Sequence, residues 1–146
     1  INSEPAETYE CIEEVIAAIG NYTDTDRCYV FEFDDNIQNM TNTHEWVRDG
    51  YQAHITDLQS VALEELPWFF EQIKTHHKCI VDNIDLLPPE ATAERAEFER
   101  EQIKSVICVG LVANQHLLGF AVATWCDKNG SGHRKKFVVY GWLPIW

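Results

Sequence analysis

The chain lacks any apolar run approaching the ~20 residues a membrane helix needs. It lacks basic residues in number: eleven Lys and Arg stand against twenty-four Asp and Glu, for a formal charge of −13. Such a surface repels phosphate backbones and anionic lipid, because binding either requires Lys or Arg to replace counterions. Nucleic acid and membrane insertion are therefore not expected among its partners. It lacks a C-x-x-C pair. Its five cysteines, Cys11, Cys28, Cys79, Cys108 and Cys126, are odd in number and far apart, which reads as a reducing compartment without a disulfide framework. No signal peptide is read at Ile1-Asn2-Ser3-Glu4, and a cytoplasmic location is expected. G-x-S-x-G, Walker, H-E-x-x-H and glycine-rich dinucleotide motifs are missing too, so no catalytic residue is assigned. His76-His77-Lys78-Cys79 lacks zinc-ligand spacing and reads as a polar helix end. No metal residue is assigned and no cofactor is named.

What is present is material for one core. The chain has 146 residues, 45 % of them apolar, and carries seven Phe, five Trp and five Tyr; a chain of this size buries a core without metal or disulfides. Tyr9, Ile12, Val15, Ile16 and Ile19 fall at helical spacing, with Gly20 at a stop position. Cys28 to Phe33 reads as a strand, Asp34-Asp35-Asn36 as a turn, and Met40 to Val47 as the hairpin partner. Arg48 to Val61 is polar and irregular, a long loop of the functional or mobile kind.

Pro67 opens a short helix. Lys78 to Val81 reads as a strand, Asp85 to Pro89 as a break. Glu90 to Gln102 reads as a solvated helix with Glu–Arg pairs. Ser105 to Val112 and Leu117 to Trp125 form a second hairpin around Asn114-Gln115-His116. The layout α-β-β-α-β-α-β-β argues for an α+β domain with a central, mainly antiparallel sheet. The whole of 1–146 is read as a single domain.

The ordered phrases resemble a GAF domain of bacterial signalling proteins, of the sensor histidine kinase or diguanylate cyclase type. Asp26 to Phe33, Asn42-Thr43-His44-Glu45-Trp46 and Leu66-Pro67-Trp68 carry the likeness. So do Asp85 to Ala91, Ala93-Glu94-Arg95, Gln102 to Ile107 and Leu117-Leu118-Gly119-Phe120. The match runs from about residue 4 to 123; residues 124–146 form an atypical tail, with a basic loop followed by an aromatic, strand-like segment where the family places a terminal helix. The resemblance implies a GAF/PAS-like central antiparallel sheet flanked by helices. It implies a small-molecule ligand held between sheet and covering loops, and a signalling output domain, histidine kinase or diguanylate cyclase, reached through flanking helices, often as a homodimer.

A pocket needs an apolar lining and a few placed polar groups. Tyr29, Phe31 and Phe33 on the first strand, Thr43, His44 and Trp46 on the second, and Trp68 on the short helix are the candidates. His44 and Glu45 are strand neighbours and point to opposite faces; His44 is preferred as the polar anchor. Cys108 lies mid-strand, and the Cys-His motif of bilin-binding members is missing. Two other readings stand beside the sensor: a ligandless dimerisation or spacer module, favoured by a core filled with side chains, and a thiol redox enzyme, favoured by cysteines meeting at an exposed site.

Overall fold

The computed structural model describes residues 5–126. Helix α1 (Pro5–Thr23) leads into strands β1 (Arg27–Phe33) and β2 (Asn39–Val47). A two-residue strand β3 (Val61–Ala62) and a 3-10 turn follow, then α2 (Pro67–His76), β4 (Lys78–Val81), a second 3-10 turn, α3 (Thr92–Arg100), β5 (Ile103–Ala113) and β6 (His116–Cys126). The strands form one six-stranded sheet in the order β3-β2-β1-β6-β5-β4. Every neighbouring pair is antiparallel. The tail from residue 127 onward lies outside the described residues, and with it the expected terminal segment.

The alternation of strand side chains divides the core in two. On one face Ile16 of α1 packs with Cys28 and Val30, joined by Ile12, Trp46 and Ala123. On the other, Tyr29, Phe31, Phe120, Val106 and Cys108 meet α2, α3 and the loop after β2 through Phe69, Ile73, Phe98 and Leu58. Three phenylalanines anchor this side: the Phe31 and Phe120 rings stack at 4.9 Å, with Phe69 edge-on to Phe120 at 5.1 Å.

Two expectations are corrected, and the irregular loop expected over Arg48 to Val61 is seen to be held to the sheet. Gly20 does not stop α1; the helix continues to Thr23, and Asp24 takes the left-handed conformation (φ 55°) that ends it. The Thr25 N–H then returns to the Gly20 carbonyl at 3.1 Å, the 6→1 bond of a Schellman ending. The glycine serves packing instead, because a Cβ there would overlap the Trp46 ring. The helix expected over 90–102 is shorter, and it is not simply solvated: Glu94 and Glu101 are buried. The loop of residues 48–60 is pinned down. The Glu45 carboxylate accepts from the His54 and Ile55 N–H groups at 3.0 and 2.7 Å, and Leu58 is buried with its carbonyl taken by the Asn42 N–H.

At the end of α2, His77 is a left-handed cap whose N–H bonds the Ile73 carbonyl at 2.9 Å, in keeping with a polar helix end.

Candidate functional site

A cavity of about 450 Å³ opens between the inner face of β1, β6 and β5 and a cover made by α3 and the residues around Leu58 and Leu66. That volume lies in the range of small-molecule sites. Its floor is apolar: Phe31, Phe120, Val106, Cys108 and Val122 come from the three central strands. They point inward because they alternate with residues of the opposite face.

One end of the cavity is polar, built where β1 enters the sheet beside the last turn of α3. Arg27, 1 % exposed, donates from Nη1 to the Glu101 carbonyl at 2.8 Å, and its guanidinium stands 4.0 Å from the Glu101 carboxyl. The Tyr29 hydroxyl donates to Glu101 Oε2 at 3.2 Å. Burial, together with the neighbouring Glu97 carboxyl, pushes Glu101 up to about 8. Glu97 goes the other way: Arg100 grips it with two bonds of 2.6 and 2.9 Å and holds its carboxyl below the usual range. The two neighbouring carboxyls are thus pushed in opposite directions, Glu97 by its bonds to Arg100 and Glu101 by burial. Burial and the Glu101 carboxyl also raise the Tyr29 phenol, which keeps it a hydrogen-bond donor.

Helix α2 begins above the same core without a side-chain cap of its own, since Leu66 occupies the N-cap. Glu94 of α3 supplies the missing acceptor. Its Oε1, fully buried, takes the Phe69 N–H at 3.0 Å. The two helices are thus locked together by a carboxylate at a helix N-terminus.

The seven sequence candidates separate onto two sides. Tyr29 and Phe31 line the cavity. Phe33 and Trp68 are half-buried at the edge of the same core, with the Phe33 ring 5.7 Å from Phe120. Thr43, His44 and Trp46 lie away from the cavity, toward α1. The His44 ring stacks 4.1 Å from Tyr9, and Thr43 bonds His44 Nδ1 at 2.8 Å. Trp46 lies against Gly20 with the Arg48 guanidinium over its ring.

The cause is a β-bulge. Val30 pairs with His44 but Phe31 pairs with Asn42, leaving Thr43 as an extra residue. Met40 and Asn42 face the cavity side with Phe31 and Phe33; beyond the bulge the parity flips, and Glu45 faces that side with Tyr29. Sequence reasoning passed over Glu97, Arg100, Glu101 and Thr124, which also line the cavity. One signal was available: Ala91, Glu94, Phe98 and Glu101 recur at helical spacing, so two acids occupy the stripe that faces inward.

Cys79 and Cys108 are register partners across β4 and β5 and are both buried. Burial pushes the Cys79 thiol up to about 12 and raises Cys108 further, disfavouring the thiolate that redox chemistry uses. Cys126 is pushed up to about 11, also by burial. Among the described residues no group of three or more His, Cys, Asp or Glu is placed to hold a metal ion. No helix among them is long and apolar enough to cross a membrane.

The family model of the GAF domain matches residues 7–138. A search of curated proteins finds no match. Several solved structures share the fold. The blue-light absorbing form of the Thermosynechococcus elongatus PixJ GAF domain is 17 % identical, with a TM-score of 0.67 over 86 % of this chain and 75 % of that one. The NreA protein of Staphylococcus aureus, mutated in its nitrate binding site, is 12 % identical, with a TM-score of 0.69 over 94 % and 96 %. A domain assigned to a two-component sensor histidine kinase protein of Sinorhizobium meliloti 1021 is 18 % identical, with a TM-score of 0.57 over 85 % and 74 %. At these identities the likeness is one of fold.

Proposed function

The chain belongs to the GAF domain family, and from that premise we propose that it is a regulatory sensory module binding a small molecule in the cavity under α3. The observation that carries this reading is the cavity itself. It is a space of about 450 Å³ with an aromatic floor and one polar end, left open in the middle of a core that is otherwise closely packed. A module that served only as a spacer would gain stability by filling that space.

Signal passage requires that ligand bind two states unequally. The cover supplies an element for this. Helix α3 contributes Glu97, Arg100 and Glu101 to the cavity and also caps α2 through Glu94. A ligand that draws α3 inward would carry α2 with it. The output is a histidine kinase or diguanylate cyclase domain joined to this one, in the cytoplasm, with the module acting as a homodimer. The outward side of α1, where Val15, Ile19 and Tyr22 are exposed, favours pairing of this kind. The same feature would serve the second reading, a ligandless dimerisation module. We assign the domain no catalytic role, and the raised, buried thiols argue against a redox enzyme.

The test is a thermal-shift screen with native mass spectrometry, run on the wild type and on Val122→Phe, which fills the cavity from its floor. A ligand that binds the native state alone raises the melting temperature with concentration, by ~3 kcal/mol of stabilisation at a hundredfold excess over Kd. The sensor reading expects such a rise in the wild type and its loss in the filled variant. No bound mass and no shift, with a dimer in the same spectrum, would establish the spacer module instead.

A further inference from the structure

The lining of the cavity specifies the charge of what enters it. Four carboxyl side chains, Asp57, Glu65, Glu97 and Glu101, stand against one guanidinium, Arg100. Arg100 is already engaged, bonded twice to Glu97 and 3.8 Å from Glu101. Arg27 lies behind the lining with its Nη1 committed to the Glu101 carbonyl. An anion would therefore meet four acids, while Arg27, whose Nε is buried without a partner, does not line the cavity. Burying an anion there would cost more than its contacts return.

Acceptors, in contrast, are in surplus. Thr124 is fully buried on β6 and lines the cavity. Its hydroxyl oxygen has no nitrogen or oxygen partner, only the weakly bonding Cys126 thiol as a neighbour. The Glu97 and Glu101 carboxyls stand four residues apart on the same side of α3, both against Arg100 and both lining the cavity. Glu101, pushed up to about 8 by burial, holds a proton at neutral pH where a positive charge could stand. The remaining walls are apolar, and the near-parallel Phe31 and Phe120 rings, 11° apart, offer a flat surface.

We propose that the cavity takes a small organic cation, a protonated amine or amidine on a flat apolar body, whose head is held by Glu97, Glu101 and Thr124. The inference rests on the sensor reading and adds the ligand's chemical class to it. The charged and titratable groups around the head are Arg27 and Tyr29 from β1 with Asp26 just before it, Glu45 from β2, Glu97 and Arg100 from α3, Cys126 from β6, and His54 and Asp57 from the loop. Arg100, whose side chain is half-exposed, swings outward as the cation replaces it.

A matched pair separates charge from shape: tryptamine against indole-3-acetate, with benzamidine as the amidine. Isothermal titration at pH 7 in phosphate and in Tris, whose ionisation enthalpies differ, counts protons exchanged on binding. Tryptamine or benzamidine is expected to bind at least ~10-fold tighter than the acetate, the scale of one hydrogen bond to a charged group, with release of protons. Glu101→Gln, an isostere of the protonated acid, should lose ~10-fold or more and release none. Thr124→Val should weaken binding with proton release intact. If Glu101→Gln does not fold, Glu97→Gln on the more exposed carboxyl serves the same purpose. Preference for the acetate, amine binding without proton release, binding untouched by these substitutions, or no amine binding at all would each overturn the proposal. The parent reading is judged separately: a neutral or anionic compound that stabilises the wild type but not Val122→Phe leaves the sensor standing and removes the cation.

Discussion

A carboxyl group out of water persists where donors or a proton compensate for lost hydration, and two of the buried acids of this domain, Glu94 and Glu101, use different means. Glu94 uses a donor, the Phe69 N–H at the start of α2. Removing it leaves a cavity and an uncapped helix, so Glu94→Ala should cost ~2–4 kcal/mol. Glu94→Gln keeps an acceptor oxygen and should cost about 1 kcal/mol. Urea denaturation of the two variants checks the ratio. Glu101 uses a proton. Its folded value, pushed up to about 8 by burial and by Glu97, lies above the ordinary 4.5, so between these values the native state binds more protons than the unfolded one. Stability from this group is complete below about pH 4.5 and is lost as pH rises through 8, by a few kcal/mol at most. Melting temperatures from pH 5 to 9 should fall, and the Glu101→Gln profile should be flatter. A steeper profile in the variant would contradict a protonated Glu101.

At the scale of elements, one inserted residue decides which side chains reach the cavity. Local pattern located the helices and all strands but β3, because apolar spacing and turn residues are local properties. Which face a residue takes on β2 is not local. Alternation from Met40 onward puts His44 and Trp46 beside Asn42; the bulge at Thr43 sends them to α1 and turns Glu45 inward. A bulge arises from pairing with β1, which a strand read alone does not display. Arg27, Glu94 and Glu101 were illegible for a related reason: a charged residue reads as solvated until its partner, distant in sequence, is in place. Deleting Thr43 removes the extra residue while Val30–His44 and Tyr29–Glu45 remain partners, so His44, Glu45 and Trp46 keep their faces. We expect that deletion to lower stability by only ~1–2 kcal/mol, since it takes away the bonds of Thr43 to Tyr9, Val30 and His44 and leaves Glu45 on the His54 and Ile55 N–H groups. Circular dichroism melting of the deletion variant is the check; a loss of ~3 kcal/mol or more would mean that the bulge itself is needed to keep Glu45 turned inward.

For the whole molecule, the sheet's two faces carry separate tasks. One packs α1; the other holds the cavity, its cover and the pinned loop. The fold was legible in the order of its phrases, whereas the ligand's chemistry became so only when residues from β1, α3 and β6 came together. The strand order has a further consequence, for assembly in time. Hairpins β1–β2 and β5–β6 can close locally, but they are joined in the sheet through the pairing of β1 with β6, and Asp26 and Cys126, bonded at 2.7 Å, lie 100 positions apart. Such distant closure carries a large loop-entropy cost and slows folding. During synthesis β1 therefore waits with its β6 edge unpaired until almost the entire domain has left the ribosome, at ~5–20 residues per second. In that interval the strand edge is an aggregation hazard, and Arg27, near the start of β1, keeps a charge on that edge until Glu101 and β6 arrive to enclose it.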